Sequence, residues 1–294
     1  MNASRRAAAL TAAALLTATL AGCSTDSGAP TAASSPDGEP QSLGHVHGIG
    51  TDPADGTVYI ASHFGVFRLD EDSGPERVAD RWQDTMAFTV VGPGHFLASG
   101  HPDLREDLPA HLGLIESTDA AQTWTPLSLQ SEADFHALEV AGQRTYGYDS
   151  VGGQLLVSED RRTWRRLDQT AVLDLAADPD EHDRLLATTG QGRLVEYQVG
   201  TRAAPSALDA PRLAFIDWAD ADTLVGLAPD GVIYVSGDGA QSWQRTTAVP
   251  GDAQALEVSA QRWYAATSRG VYASTDAGRS WEPLVAHSGE GHPG

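Results

Sequence analysis

Lysine is missing altogether, and all 19 basic residues are arginine. Schiff-base chemistry on a lysine amine and a phosphate loop built on lysine are therefore excluded. Cysteine occurs once, at Cys23, which rules out an internal disulfide, a cysteine protease, an iron–sulfur site and a structural zinc knot in the rest of the chain. Beyond the N-terminal region no apolar run approaches the ~18 residues a membrane helix needs. Positive charge is scarce, with 19 basic against 40 acidic residues and a net charge of -21. Such a surface repels nucleic acid and anionic headgroups and draws cations and basic partners. No nucleic-acid partner is expected; a basic protein or peptide is the macromolecule this charge selects, and the same charge keeps an exported monomer soluble.

The N-terminus has Arg5 and Arg6, then an Ala- and Leu-rich run, and closes with Leu20-Ala21-Gly22-Cys23. Small residues before a lone cysteine resemble a lipobox, so residues 1–22 read as a lipoprotein signal peptide and Cys23 as the lipidation site. Residues 23–43, rich in Ser, Ala, Gly, Pro and Thr, read as a lipidated flexible tether. The folded part, 44–286, is then expected in the cell envelope, outside the cytoplasmic membrane and held to it by the lipid alone. A Gly-rich tail, 287–294, carries His287 and His292.

What the chain does have is a phrase, SxDxGxxW, that returns at a steady interval. Ser274 to Trp281 fits it in full; Ser236 to Trp243 and Ser117 to Trp124 carry Ala240 and Ala121 in place of the glycine; Ser158, Asp160 and Trp164 belong to a copy one residue shorter. The serines lie 41, 78 and 38 residues apart, and since 78 is twice 39, a decayed copy is expected near Glu196 and Tyr197. A period of about 40 marks a repeat architecture. The phrase suits a hairpin turn: Asp119, Asp160, Asp238 and Asp276 with their serines satisfy loop amides, the glycine position supplies positive φ, and Trp124, Trp164, Trp243 and Trp281 pack the turn on the next repeat.

This phrase resembles the Asp-box (BNR) repeat, and residues 44–286 look like the Asp-box propellers: sialidases, sortilin-type receptors, some glucanases and a photosystem assembly factor. The resemblance implies an all-β, six-bladed β-propeller, with seven blades as the alternative. The work of the box is structural, so it speaks for fold far more than for function.

With the box as the turn between third and fourth strands, alternation and turn residues place the last blade's strands at Ala255–Val258, Trp263–Thr267, Val271–Ser274 and Trp281–Val285. First strands follow near His45–Thr51, Met86–Val91, His136–Val140, Leu173–Ala177 and Leu213–Trp218. First strands line a propeller's channel, and their starts share one mouth with the loops between second and third strands. In one register His47, Met86 and His136 occupy the same position as Leu173, Leu213 and Gln254. Two residues earlier stand His45, Asp84 and Asp134. The loops bring His63, His101 and Tyr148-Asp149 to the same rim.

Imidazole with thioether suits copper, while three histidines and a carboxylate satisfy zinc without the sulfur. The expectation is one transition metal, copper with zinc as the alternative, held by His47 and His136 with His63 or His101 or both, and by Met86 as a weak ligand. His45, Asp84, Asp134 and Asp149 are expected to orient the ligating rings. Two other functions compete: a recognition or assembly propeller without metal, and a sialidase-like glycosyl hydrolase using Tyr148 with an arginine clamp. Only Arg212 and Arg269 offer themselves for that clamp, and no general base singles out a reaction. A binding protein is therefore favoured over an enzyme.

Overall fold

The structure, a computed structural model, describes residues 43–70 and 73–286. The expected signal peptide, Cys23, nearly all of the tether and the tail lie outside the described residues. Strands occupy most of the rest and form six four-stranded antiparallel sheets, each ordered as in the chain. Blade one holds β1 (Val46–Thr51), β2 (Val58–Ser62), β3 (Gly65–Asp70) and β4 (Gly74–Arg77); blade two holds β5 (Asp84–Gly92), β6 (His95–His101), β7 (Leu114–Ser117) and β8 (Thr125–Ser128). Blade three has β9 (Phe135–Ala141), β10 (Arg144–Asp149), β11 (Gln154–Ser158) and β12 (Arg165–Asp168); blade four has β13 (Val172–Ala177), β14 (Arg184–Thr189), β15 (Leu194–Gln198) and β16 (Ser206–Ala207). Blade five comprises β17 (Phe215–Trp218), β18 (Leu224–Leu227), β19 (Val232–Ser236) and β20 (Gln244–Ala248); blade six comprises β21 (Ala253–Val258), β22 (Trp263–Thr267), β23 (Gly270–Ser274) and β24 (Glu282–Ala286). The chain is thus an all-β, six-bladed propeller, and the seven-blade alternative is set aside.

Second strands such as VYIAS and WYAAT are buried along their whole length, because each is covered on both faces by neighbouring blades and so reads as a continuous apolar run. Fourth strands such as Gln244–Ala248 are largely exposed. The core falls into six clusters, one between each pair of adjacent blades. Between blades one and two, Tyr59 and Phe88 lie 4.8 and 5.3 Å from the Phe96 ring. The ring closes at the seam of blades six and one, where Leu43, Ile60 and Phe67 pack with Tyr264, Ala266 and Val271. No strand is exchanged there, since every blade is contiguous in sequence.

The full-length copies of the repeated phrase fold alike. Ser274 Oγ accepts the Gly278 amide at 2.9 Å and donates to Asp276 Oδ1 at 2.8 Å, and Asp276 Oδ1 takes the Ser280 amide at 2.9 Å. The same bonds recur from Ser117 and Ser236. The glycine position has φ of +72° at Gly278, +66° at Ala121 and +74° at Ala240. In the shortened copy Asp160 still takes two loop amides. Where the decayed copy was expected, β15 ends and the fourth strand, β16, has only 2 residues.

Five of the six inner strands carry a register shift at their entry, opposite β2, β6, β10, β14 and β22. The extra residues are His47, Met86, His136, Leu173 and Gln254, so the column read from sequence is a column of β-bulges. Blade five departs from it. Phe215 pairs with Leu227 as Ala255 pairs with Ala266, which puts Ala214 in the column and leaves Leu213 fully buried in the seam with blade four. That one-residue slip corrects the sequence alignment of this blade.

Candidate functional site: the channel mouth

Strand entries and the loops after second strands meet at one end of the channel, and there the structure gathers the histidines in two groups. In the first, His47 Nε2 lies 3.3 Å from His63 Nδ1, His63 Nδ1 3.0 Å from Asp84 Oδ1, and His47 Nε2 3.5 Å from the same oxygen. The three atoms form a nearly equilateral triangle. The His45 ring stands beside it, 4.9 Å from that of His47 and 5.7 Å from that of His63. Partial desolvation within the ring cluster, followed by the nearby His47 and His63 charges, holds His45 down to about 4 although the residue keeps an exposed face. Burial also lowers His47, outweighing the hydrogen bond to Asp84 that favours its charge. Burial works to raise Asp84, but hydrogen bonds from His47 and His63 prevail and keep it an ionised acceptor.

In the second group His136 Nε2 meets Asp134 Oδ2 at 2.8 Å, with His101 Nε2 3.7 Å from that oxygen and the His111 ring 5.6 Å from that of His101. Asp134 is thus the hydrogen-bond partner of the His136 ring. Hydrogen bonding from His136 lowers the Asp134 carboxyl despite the upward effect of its burial. Asp149 departs from expectation: its carboxylate accepts the amides of Asp134, Val151 and Gly152, so it shapes the loop rather than an imidazole. His47 and His136 fall in different groups rather than in one ligand set. Met86 is a half-buried bulge residue between them. His111 was missed, because it lies between β6 and β7 in a segment with no strand periodicity to place it.

Below the mouth the channel narrows to a cavity of about 160 Å³. Its wall contains four carboxyls, each accepting an amide of the next blade: Glu139 from Ala177 at 3.2 Å, Asp174 from Ile216 at 2.8 Å, Asp217 from Val258 at 2.7 Å, and Glu257 from Thr51. Burial pushes Asp174 up to about 8 and Asp217 to about 7, and raises Glu139 and Glu257 well above the usual range, the neighbouring carboxylates adding to the effect on Asp174 and both glutamates. Glu139 and Glu257 each stand three residues after a bulge residue, a signal the sequence column contained. Asp217 becomes visible only once the slip in blade five is corrected.

Beside the first histidine group a cleft of about 550 Å³ shares His63, Asp84 and His101 and is walled by Phe64, Trp82 and Leu104. The arginines around it are engaged. Arg77 lies 3.4 Å over the Trp82 ring, Arg81 pairs with Glu106, and Arg105 chelates Asp103.

No protein-family model matches the sequence, and no curated protein matches it. Solved β-propellers do resemble its fold. A gluconolactonase from Xanthomonas campestris has a TM-score of 0.61 at 15% identity, covering 76% of this chain and 83% of that one. YCF48 from Cyanidioschyzon merolae has 0.54 at 11%, covering 79% and 95%. PorZ, a surface component of the type-IX secretion system of Porphyromonas gingivalis, has 0.53 at 16%, covering 82% of this chain; the match spans 33% of PorZ, about a third of its length. At such identities these likenesses show the fold alone: the chain is a β-propeller with two histidine–carboxylate groups at its mouth.

Proposed function

We propose that this chain is an exported, lipid-anchored propeller that binds a divalent transition metal at its channel mouth through His47, His63 and Asp84, with His45 as a fourth donor. The observation that carries this reading is the triangle of 3.0, 3.3 and 3.5 Å. Donors 2.0–2.1 Å from a tetrahedral metal stand about 3.3 Å apart, so the atoms already have the spacing of a coordination shell. Two imidazoles and a carboxylate suit zinc and copper(II), and copper(II) is the tighter binder in the general order of affinities. No sulfur completes this triangle, which favours copper(II) over copper(I). The lowered pKa of His45 and His47 supports the reading, because only a neutral imidazole can ligate.

The test uses the chain from position 23 with Cys23→Ser and no affinity histidines, dialysed against copper and zinc together and analysed for bound metal. Copper should be retained, and His63→Ala should lose the ion held here while melting as the parent does. Absence of any retained metal would sink the proposal.

The apolar cleft favours a second reading, recognition of a peptide segment. Trp82 is 46% and Leu104 fully exposed beside it, and a YCF48 structure of the same fold is bound to D1 peptide. Basic peptides with one large apolar side chain would be selected, with binding lost in Trp82→Ala and kept in His63→Ala. Binding insensitive to Trp82 would count against it.

A further inference from the structure

We infer that the mouth carries a second, independent metal site one blade further round the ring, formed by His101, His111 and Asp134. The first group combines the bulge residue of blade one, the residue after its second strand and the entry residue of blade two: His47, His63 and Asp84. Advancing one blade gives Met86, His101 and Asp134. His101 pairs with Asp84 across β5 and β6, as His63 donates its amide to His45, so His101 and His63 are rotational equivalents. Blade two thus gives its entry carboxylate to the first group and its loop imidazole to the second. His111 supplies a donor that has no counterpart in blade one.

Three further observations point to a cation. His101 donates Nδ1–H to the Ala110 carbonyl at 2.8 Å, which leaves Nε2, on the side of Asp134, as the atom a neutral ring would offer to a metal. Asp134 is 4% exposed, and while its Oδ2 accepts from His136 and Ser150, its Oδ1 is buried with no partner. His111 Nδ1 is likewise buried and unpartnered. A buried polar atom without a partner is destabilising, and a cation bound by either residue would relieve that cost; the Asp134 oxygen facing His101 Nε2, at 3.7 Å, is Oδ2. Ligand atoms of His101, His111 and Asp134 lie within 4.8 Å of one another.

The segment bearing His111 is anchored at both ends. Gly100 has φ +143° and Gly113 φ +64°, and a Cβ at either would come within 2.0 Å of Asp84 O or 2.3 Å of Ser128 O. With two imidazoles and a carboxylate, the ligand class is a zinc-like or copper(II)-like ion.

The test counts zinc and copper on the same Cys23→Ser chain, with cobalt substitution adding a visible ligand-field spectrum. Two equivalents are expected, falling to one in His111→Ala and to one in His63→Ala. His111→Gln, closer in size, guards against a folding defect and should also leave one equivalent, with the cobalt bands of the second site gone. One equivalent in the parent, lost in His63→Ala and kept in His111→Ala, would overturn this site and leave the first standing. One equivalent lost only in His111→Ala would do the reverse. Two equivalents unaffected by either His111 variant would overturn the assignment of His111, and with it this site.

Discussion

Asp174 and Asp217 hold protons in the folded channel at pH values where an unfolded chain has released them. Their folded pKa values are raised above the unfolded carboxylate value, so the stability they allow is complete below about pH 4 and is lost as pH rises through 7 to 8. Each proton involved contributes a slope of about 1.4 kcal/mol per pH unit within that window. His45 and His47 are shifted the other way, and their contribution is lost as pH falls below 6.5. Above pH 6.5 the carboxyls act alone, so the melting temperature should fall between pH 6.5 and 8. Asp217→Asn keeps an acceptor for the Val258 amide and removes the proton; it should flatten the decline and melt higher at pH 8. A Tm that stays level across this range in the parent would contradict the channel electrostatics.

The repeated turn is the element where sequence and structure agree most closely. Its spacing gives the blade period, and its serine, aspartate and positive-φ position each make the contact their chemistry suggests. Alanine already occupies the glycine position in two copies, yet the third is not interchangeable. A Cβ on Gly278 would lie 2.6 Å from the Trp263 ring, whereas Ala121 and Ala240 pack into the seams of blades one and two and of blades four and five. Gly278→Ala should therefore cost about 1–3 kcal/mol from overpacking and backbone strain, a drop of several degrees for a domain of this size. A neutral result would mean that Trp263 moves freely. Strand two of the last blade was legible because burial on both faces leaves the apolar run WYAAT. The inner strand of blade five was not, because no bulge marks its entry, and an alternating pattern slips by one residue when nothing pins it.

As a whole molecule the ring depends on its last seam. Packed side chains and hydrogen bonds, among them those from Val46 N to Gln254 and from Thr51 N to Glu257, join blade six to blade one. Phe67 is fully buried there, so Phe67→Ala should cost about 3–5 kcal/mol, measured by urea unfolding. Unfolding should stay one cooperative transition if all six seams are equivalent; an early separate phase would identify this seam as the place where the ring opens. At this scale the sequence column named most of the mouth: His45, His47, His63, Asp84, His101, Asp134 and His136 do converge there. Their division into two groups was hidden, because a column shows which residues share a rim but not which neighbour across a blade boundary each one meets. His111 was hidden because the segment holding it has no repeat partner.

The bulges at the strand entries separate two lineages of change. In an unbroken strand, alternation ties the facing of every residue to that of the packing residues beyond it, so an insertion near the mouth would turn the whole strand over. With one extra residue already absorbed at His47, Met86, His136, Leu173 and Gln254, the residues at the mouth and those that hold the blades together can vary separately. A propeller built this way could exchange its ligand chemistry blade by blade, by descent or by design, while its interior stayed the same.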